Sequence, residues 1–417
     1  MKHSSLLLLE ERYVWGLSVR DLYVYFLAVF GMAVGFGYSL YLGDATRFGD
    51  EQLYLDLGRH LSEHSIYSKD GIHSTSERPP GYPFFIAGIM NLGGGILAIK
   101  LLQFAFFSGS LILVHRILTQ WDCGVAGPIA ATLVFFYPVI FYTTATIYPQ
   151  ALTTFLFLLV TWLVIAKNID INRWIIGGLV FGLLAFTTPI LLVTLPCLLL
   201  APWILDHKRK LLSVVLFMGI TITIITPWIV RNYEVFDRFV FISSNSGLML
   251  ILGNSDLAEP NIGPRTDISK YRAVASATTS NTAEYDASLR AQAIEWIQGN
   301  KTKALKLYLR KFLNFFNFRN SLASASEEAL WKNALMFLTY YPLLLLAVAQ
   351  MAFGHGGKSR LLEIYMCTCY MLFALFYAIF FTRIRYRLPL DWFVICLAAL
   401  YLRTRVMSFA AKTSTST

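Results

Sequence analysis

Residues 211–230 read LLSVVLFMGITITIITPWIV, with no charged side chain among them. As a helix this run is roughly 30 Å long, the thickness of the hydrocarbon core of a bilayer. Lipid offers no partners to backbone N–H and C=O groups, so such a segment has to pair them internally, as a helix does. Residues 151–166 repeat the pattern, and across all 417 residues 56% are hydrophobic and only 14% charged. Soluble domains carry about a quarter charged residues. The composition therefore describes an all-α polytopic membrane protein, a single domain spanning 1–417. The five cysteines, Cys123, Cys197, Cys367, Cys369 and Cys396, lie in or beside apolar runs without a CxxC pair and read as small core residues. Residues 6–9 are too short for the apolar part of a signal peptide and are followed by Glu10 and Glu11, so 22–42 is expected to remain as the first span.

Working outward, the candidate spans are 22–42, 98–118, 124–143, 147–167, 173–187, 189–205, 211–230, 331–353, 361–382 and 387–403. The apolar piece 83–97 is interrupted by Asn91 and by Gly93-Gly94-Gly95. If it crosses, Lys208-Arg209-Lys210, Arg116 and Arg173 fall outside. If it does not, they join Lys167, Lys358, Arg360, Arg403 and Arg405 in the cytoplasm, as the positive-inside rule requires. That parity makes 83–97 re-entrant or interfacial. It places both termini inside an inner (plasma) membrane and leaves about ten to eleven spans. Loop 43–82 and region 231–330 then face outward. The net charge of +10 is accounted for by residues flanking spans, and no nucleic-acid partner is implied.

Two outward segments have helical periodicity. Leu53, Leu57 and Leu61 suggest an interfacial helix over 50–63, with Asp50 at its start as an N-cap or as a functional carboxylate. Leu305, Tyr308, Leu309, Phe312, Phe315 and Phe316 oppose Lys303, Lys306 and Arg310, a second interfacial helix that either anchors in headgroups or grips an anionic lipid. His60-Leu61-Ser62-Glu63-His64 matches a zinc-hydrolase spacing, but no third ligand accompanies it, and no metal site is assigned.

Arginines remain on the outer side: Arg47, Arg78, Arg231, Arg238, Arg383, Arg385 and Arg387, several of them at span ends where the positive-inside bias should exclude them, the last three at alternate positions before Pro389. Guanidinium groups at that surface either touch headgroups or bind a ligand phosphate through charge-assisted, often bidentate bonds.

Four segments in this order resemble the bacterial branch of the dolichyl-phosphate-mannose protein mannosyltransferase family, within the C-class (GT-C) membrane glycosyltransferases. They are Gly49-Asp50-Glu51-Gln52-Leu53-Tyr54; Glu77-Arg78-Pro79-Pro80-Gly81-Tyr82-Pro83; Pro227-Trp228-Ile229-Val230-Arg231-Asn232 with Ser243-Ser244-Asn245-Ser246-Gly247 and Gly253-Asn254; and Arg385-Tyr386-Arg387-Leu388-Pro389-Leu390. The second is also similar to a segment of the lipid A aminoarabinose transferases. The resemblance implies a GT-C-type helical bundle and a sugar donor on polyprenyl phosphate. It implies Asp50 as the catalytic acidic residue, with Glu51 as its alternate, and Arg78 on the donor phosphate, where the outward arginines Arg231, Arg383, Arg385 and Arg387 are expected to join it. Tyr54, Glu77, Tyr82, Asn232, Asn245 and Tyr386 would contact donor or acceptor. Gln150 after Tyr148-Pro149 and Thr188 before Pro189 depart from the family's usual Glu and Arg.

The residues support the same chemistry independently. Fixed arginines stabilise a phosphate leaving group, and a carboxylate can take the acceptor's proton. The expected reaction is an inverting transfer to an acceptor hydroxyl on a lipid, glycan or protein. It requires no cofactor; a divalent metal is admitted but not indicated. Partners are the lipid-linked donor, an unnamed acceptor and membrane lipids. The rival readings are a ligase or polymerase of lipid-diphosphate-linked glycan, an anionic-lipid flippase or transporter, and a non-catalytic subunit. The topology is tested with cysteines at Ser74 and Asn91, both of which should react with an impermeant reagent from outside. Labelling at position 91 only after permeabilisation would mean that 83–97 crosses.

Overall fold

The computed structural model describes residues 13–14, 17–167, 169–279, 281–319, 330–354, 357 and 359–415. Seventeen α-helices dominate them: α1 (Val19–Leu42), α2 (Gly49–His64), α3 (Gly81–Asn91), α4 (Ile96–Gln120), α5 (Ala126–Phe135), α6 (Pro138–Thr144), α7 (Gln150–Val164), α8 (Ile171–Thr187), α9 (Leu195–Ile204), α10 (Lys210–Phe236), α11 (Ser246–Gly253), α12 (Ser269–Thr278), α13 (Thr282–Gly299), α14 (Lys301–Phe315), α15 (Leu330–Phe353), α16 (Arg360–Tyr377) and α17 (Ile384–Thr415). The β structure among these residues is one two-residue antiparallel pair, Tyr13–Val14 with Leu17–Ser18, and an isolated bridge between Ser68 and Ser74.

Five helices, α1, α4, α10, α15 and α16, are long and apolar enough to cross a membrane, and α5 with α6 makes a sixth candidate bent by 65°. Their apolar side chains are not all turned inward: Leu211, Val215, Ile222 and Val230 of α10 and Leu338, Leu345 and Val348 of α15 stand exposed, as lipid-facing positions do. This is the all-α fold of a polytopic membrane protein. The ten apolar stretches do not map one-to-one onto continuous helices. Apolar run length cannot register backbone breaks. Thus 189–205 becomes a 3-10 turn, Pro189–Thr194, followed by α9, while α7 and α8 are shorter than a full span. Helix α3 is about 16 Å long at 1.5 Å per residue, half the hydrocarbon thickness.

Helices α1, α4, α7, α8 and α10 pack in succession, and α17 inserts among α5, α7, α15 and α16. Every residue from 387 to 400 is buried, so this stretch is apolar nearly all round because it has protein on every side. Where α8 meets α10, a Cβ on Gly178 would lie 2.6 Å from the Phe217 carbonyl oxygen, and Thr221 donates to the Gly178 oxygen at 3.0 Å. Close backbone approach of this kind is what small residues permit between membrane helices.

Helices α11 to α14 form a lobe with its own core of Ile251, Leu252, Ile268, Tyr271, Leu289 and Ala293, closed by Phe381 from the α16–α17 link. The two expected interfacial helices look different in three dimensions. Leu57 of α2 is fully buried against Tyr67 and Trp228 with Leu53 and Leu61 alongside, so that leucine face meets protein. In α14 the stripe divides. Leu305 and Leu309 are exposed, while Ala304, Leu307, Lys311 and Phe315 are buried.

Lys311 joins the lobe to the bundle. Its ammonium donates to the oxygens of Gly253 (2.9 Å), Asn254 Oδ1 (3.2 Å), Ile379 (3.2 Å) and Phe380 (2.7 Å). These sit at the C-terminal end of α11 and just past α16, where helix carbonyls lack intrahelical partners and carry negative potential. Gly253 allows the junction, since a Cβ there would be 1.8 Å from the Phe380 oxygen. Burial pushes Lys311 down to about 7, and the surrounding acceptors favour the charged, three-donor form against it. Lys311→Met should therefore destabilise the fold by roughly 3 kcal/mol, because several buried acceptors lose their donor. Thermal unfolding in detergent measures it, and an unchanged midpoint would show that the junction is held by apolar packing alone.

Candidate functional site

The site begins with the cap of α2. Phe48 is the N-cap, two positions earlier than an Asp50 cap would require. Glu51, at the third helical position, reaches back so that Oε1 accepts from the amides of Arg47 (3.0 Å) and Phe48 (3.1 Å), half of a capping box. Its Oε2 accepts from the Ile147 amide at 2.8 Å, and Glu51 is 2% exposed. Glu51 thus pins the helix start to the loop before α7. With Glu51 doing the capping, Asp50 is free to project elsewhere.

Asp50 meets two arginines, one 28 residues on and one 335 residues on. Arg78 Nη2 donates to Oδ1 at 2.9 Å and Arg385 Nη2 donates to Oδ2 at 2.7 Å. Burial raises the Asp50 carboxyl, but Arg385 and Arg78 outweigh it and hold the group below the usual carboxylate range. The Arg385 guanidinium lies over the Tyr148 and Tyr386 rings, 5.0 and 5.1 Å from their centroids, a cation–π arrangement that fixes its plane. Tyr386 in turn stacks on Tyr377 at 5.0 Å. Burial raises both the Tyr54 and Tyr148 hydroxyls, so the phenols stay protonated.

This triad lies in the wall of a cavity of about 680 Å³. Its charged lining residues are Asp50, Arg78 and Arg385, with Tyr54, Asn245 and Tyr386 nearby. The remaining wall is largely apolar, including Leu192, Val193, Met249, Phe376 and Phe380. Tyr148, Gln150, Thr153 and Thr188 also line it, with Thr153 and Thr188 hydroxyls 2.7 Å apart. None of these four was picked as a site residue from sequence, although Gln150 and Thr188 had stood out as departures from the family pattern.

The other expected site residues are not in the cavity lining. Arg231 donates to the Thr75 oxygen at 3.0 Å and lies over the rings of Trp228 (4.8 Å), Phe236 (5.5 Å) and Tyr67 (5.8 Å). The Tyr67 hydroxyl donates to the Arg78 carbonyl at 3.0 Å, and Ser76 accepts the Ser244 amide at 2.7 Å. Arg231 therefore buttresses the loop that carries Arg78. Asn232 donates to the Val240 oxygen at 3.2 Å. The Tyr82 hydroxyl donates to Gln103, whose amide holds the Thr144 and Thr146 oxygens at 2.8 Å, securing the loop below Tyr148. Glu77 pairs with Lys69. Arg383 donates to the Ile262 oxygen at 3.2 Å. Arg387 is 1% exposed and paired with Asp391 at 3.2 Å. His60 Nδ1 lies 2.9 Å from the Ser68 oxygen, and among the described residues no group of three or more His, Cys, Asp or Glu is placed to hold a metal.

No protein-family profile matches the chain, and no curated protein sequence matches it. Among solved structures it is similar to the archaeal oligosaccharyltransferase AglB from Archaeoglobus fulgidus, in complex with an inhibitory peptide and a dolichol-phosphate, at 16% identity and a TM-score of 0.48. That alignment covers 93% of this chain and 51% of the other, so the chain spans about half its length. It is also similar to ArnT from Cupriavidus metallidurans bound to undecaprenyl phosphate, at 12% identity and a TM-score of 0.46, over 91% of this chain and 77% of that one.

The buttressing role of Arg231 has a measurable consequence. Arg231→Ala should cost about 1–3 kcal/mol through a lost charged hydrogen bond and ring contacts. It should also speed hydrogen exchange at the Thr75 amide, which donates to the Tyr67 oxygen. Unchanged exchange across 67–79 would show that other contacts hold the Arg78 loop.

Proposed function

We propose that the chain is a glycosyltransferase that moves a sugar from a polyprenyl-phosphate donor to an acceptor hydroxyl at the outer face of the membrane, with inversion at the sugar carbon. The observation that carries this is the convergence of Asp50, Arg78 and Arg385 in a mostly apolar cavity. Apolar walls suit a prenyl chain, two guanidiniums suit its phosphate, and the carboxylate suits an acceptor proton.

Charge counting supports a monophosphate link. One carboxylate and two guanidiniums leave the lining with one surplus positive charge. A glycosyl phosphodiester carries one negative charge and neutralises it. In the transfer the acceptor oxygen bonds to the sugar carbon while the carbon–oxygen bond to phosphate breaks. Its electron pair leaves on the phosphate, and the acceptor's proton passes to Asp50. The site then holds a neutral acid, two guanidiniums and a phosphate dianion, again with no net charge. Bond breaking thus proceeds without unbalanced charge in a poorly hydrated site, where imbalance is most costly. A diphosphate link would bring extra negative charge that nothing in the lining offsets, which disfavours the ligase reading.

The test uses purified protein with a polyprenyl-phosphate hexose and an acceptor identified from its products. Asp50→Asn should stay folded, since Glu51 supplies the cap, while turnover falls about 10²–10⁴-fold, the range for loss of a general base. A folded, fully active variant would remove Asp50 from the chemistry, and hydrolysis or transfer from diphosphate donors alone would favour the ligase.

A further inference from the structure

The arrangement of the triad bears on how the site is switched on, and rests on the glycosyltransferase reading above. The two carboxylate oxygens of Asp50 each accept from a different arginine, at 2.9 and 2.7 Å. Two guanidiniums bridging the oxygens of one anion is also how arginines hold a phosphate. No other acidic side chain lines the cavity among the described residues. The Asp50 carboxylate therefore occupies the place that a donor phosphate would take, and with both oxygens engaged it is poorly disposed to accept a proton.

We propose that the donor's phosphate displaces the Asp50 carboxylate from Arg78 and Arg385, and that this exchange both seats the donor and frees Asp50 to act as the base. The surroundings allow it. Glu51 is tied to three backbone amides, so α2 keeps its place while the neighbouring side chain turns. The Asp50 side chain is 28% exposed toward the cavity. Arg385 keeps its plane through Tyr148 and Tyr386, and the Tyr67 hydroxyl holds the backbone at Arg78, so Arg385 does not depend on Asp50 alone and the Arg78 loop keeps its place. The groups facing Asp50 are Arg78, Arg385, Tyr54, Tyr148, Tyr386 and, farther off, Arg383. Once the two near arginines bond phosphate, they no longer hold the carboxyl down as they do here, and burial pushes a carboxyl up. The protein would thereby gain its base when the donor is in place. The acceptor proton then goes to the freed carboxylate as the new carbon–oxygen bond forms and the old bond's electron pair leaves on the phosphate.

A carboxylate that competes with phosphate differs measurably from one that helps to bind it. Undecaprenyl phosphate, lacking any sugar, is titrated into the purified full-length protein and into the Asp50→Asn and Asp50→Ala variants, each checked for cooperative thermal unfolding. Both variants should bind the lipid phosphate more tightly than the parent, by about ten-fold or more, the scale of a charge-assisted hydrogen bond no longer surrendered. They should nevertheless be slow in transfer. Equal or weaker binding in a folded variant overturns the exchange while leaving the glycosyltransferase reading intact. Absence of lipid-phosphate binding in parent and variants alike would instead remove the glycosyltransferase reading itself, and the exchange with it.

Discussion

An ion pair buried in the otherwise apolar stretch 387–400 of α17 sets the geometry of the molecule. Arg387 and Asp391, both 1% exposed, face each other on α17 at 3.2 Å. The tyrosines of three other helices or loops close around them: Tyr370 and Tyr137 donate to Asp391, and Arg387 lies 3.6 Å from the centroid of Tyr340. Arg387 also donates to the oxygens of Phe315 and Asn317, where α14 ends. Leaving one partner of such a pair alone in the interior typically costs about 3–5 kcal/mol. The pair therefore allows one depth and one rotation for α17, and Arg385, two residues earlier, is positioned by it.

From that anchor the cavity follows by short steps. Arg385 is carried to Asp50, and the nearby Tyr148 and Tyr386 rings hold its guanidinium. Asp50 comes from the start of α2, which Glu51 ties to the loop before α7. Arg78 comes from a loop braced by Tyr67, Ser244 and Arg231. Three segments, two of them 28 residues apart and the third more than 300 further on, are each fixed by a buried polar contact of their own. Preorganisation of that kind lets fixed charges act in a transition state without rearranging around it.

Much of this was legible in the sequence, and what was not has physical causes. Apolar runs revealed the membrane class, and the leucine spacing placed a helix over 50–63 where α2 spans Gly49–His64. Short-range periodicity is a property of the chain alone. Which neighbour a helix face meets is not, so the α2 leucines met Trp228 and Tyr67. The α14 stripe likewise concealed that Lys311 lies on the buried side. All five of Arg78, Arg231, Arg383, Arg385 and Arg387 were assigned to one phosphate; Arg78 and Arg385 line the cavity, whereas Arg383 and Arg387, grouped with Arg385 by alternation, do not. Alternation sends side chains one way only in a strand. At the start of a helix the three arginines diverge, to Ile262, to Asp50 and to Asp391. Tyr148, Gln150, Thr153 and Thr188 are uncharged, and nothing in composition distinguishes a hydroxyl or amide facing a cavity from one facing a neighbour.

The Lys311 junction has a broader meaning. Four oxygens at 2.7–3.2 Å, three of them backbone carbonyls, surround its nitrogen. Oxygen nests of this kind are where proteins and channels seat monovalent cations such as potassium. Here the cation is supplied by the chain itself, on a four-carbon leash. It cannot dissociate, and it does not exchange with the ions of the surrounding solution. The union between the lobe and the bundle is thereby held by a charge that no metal ion of the surrounding solution has to supply.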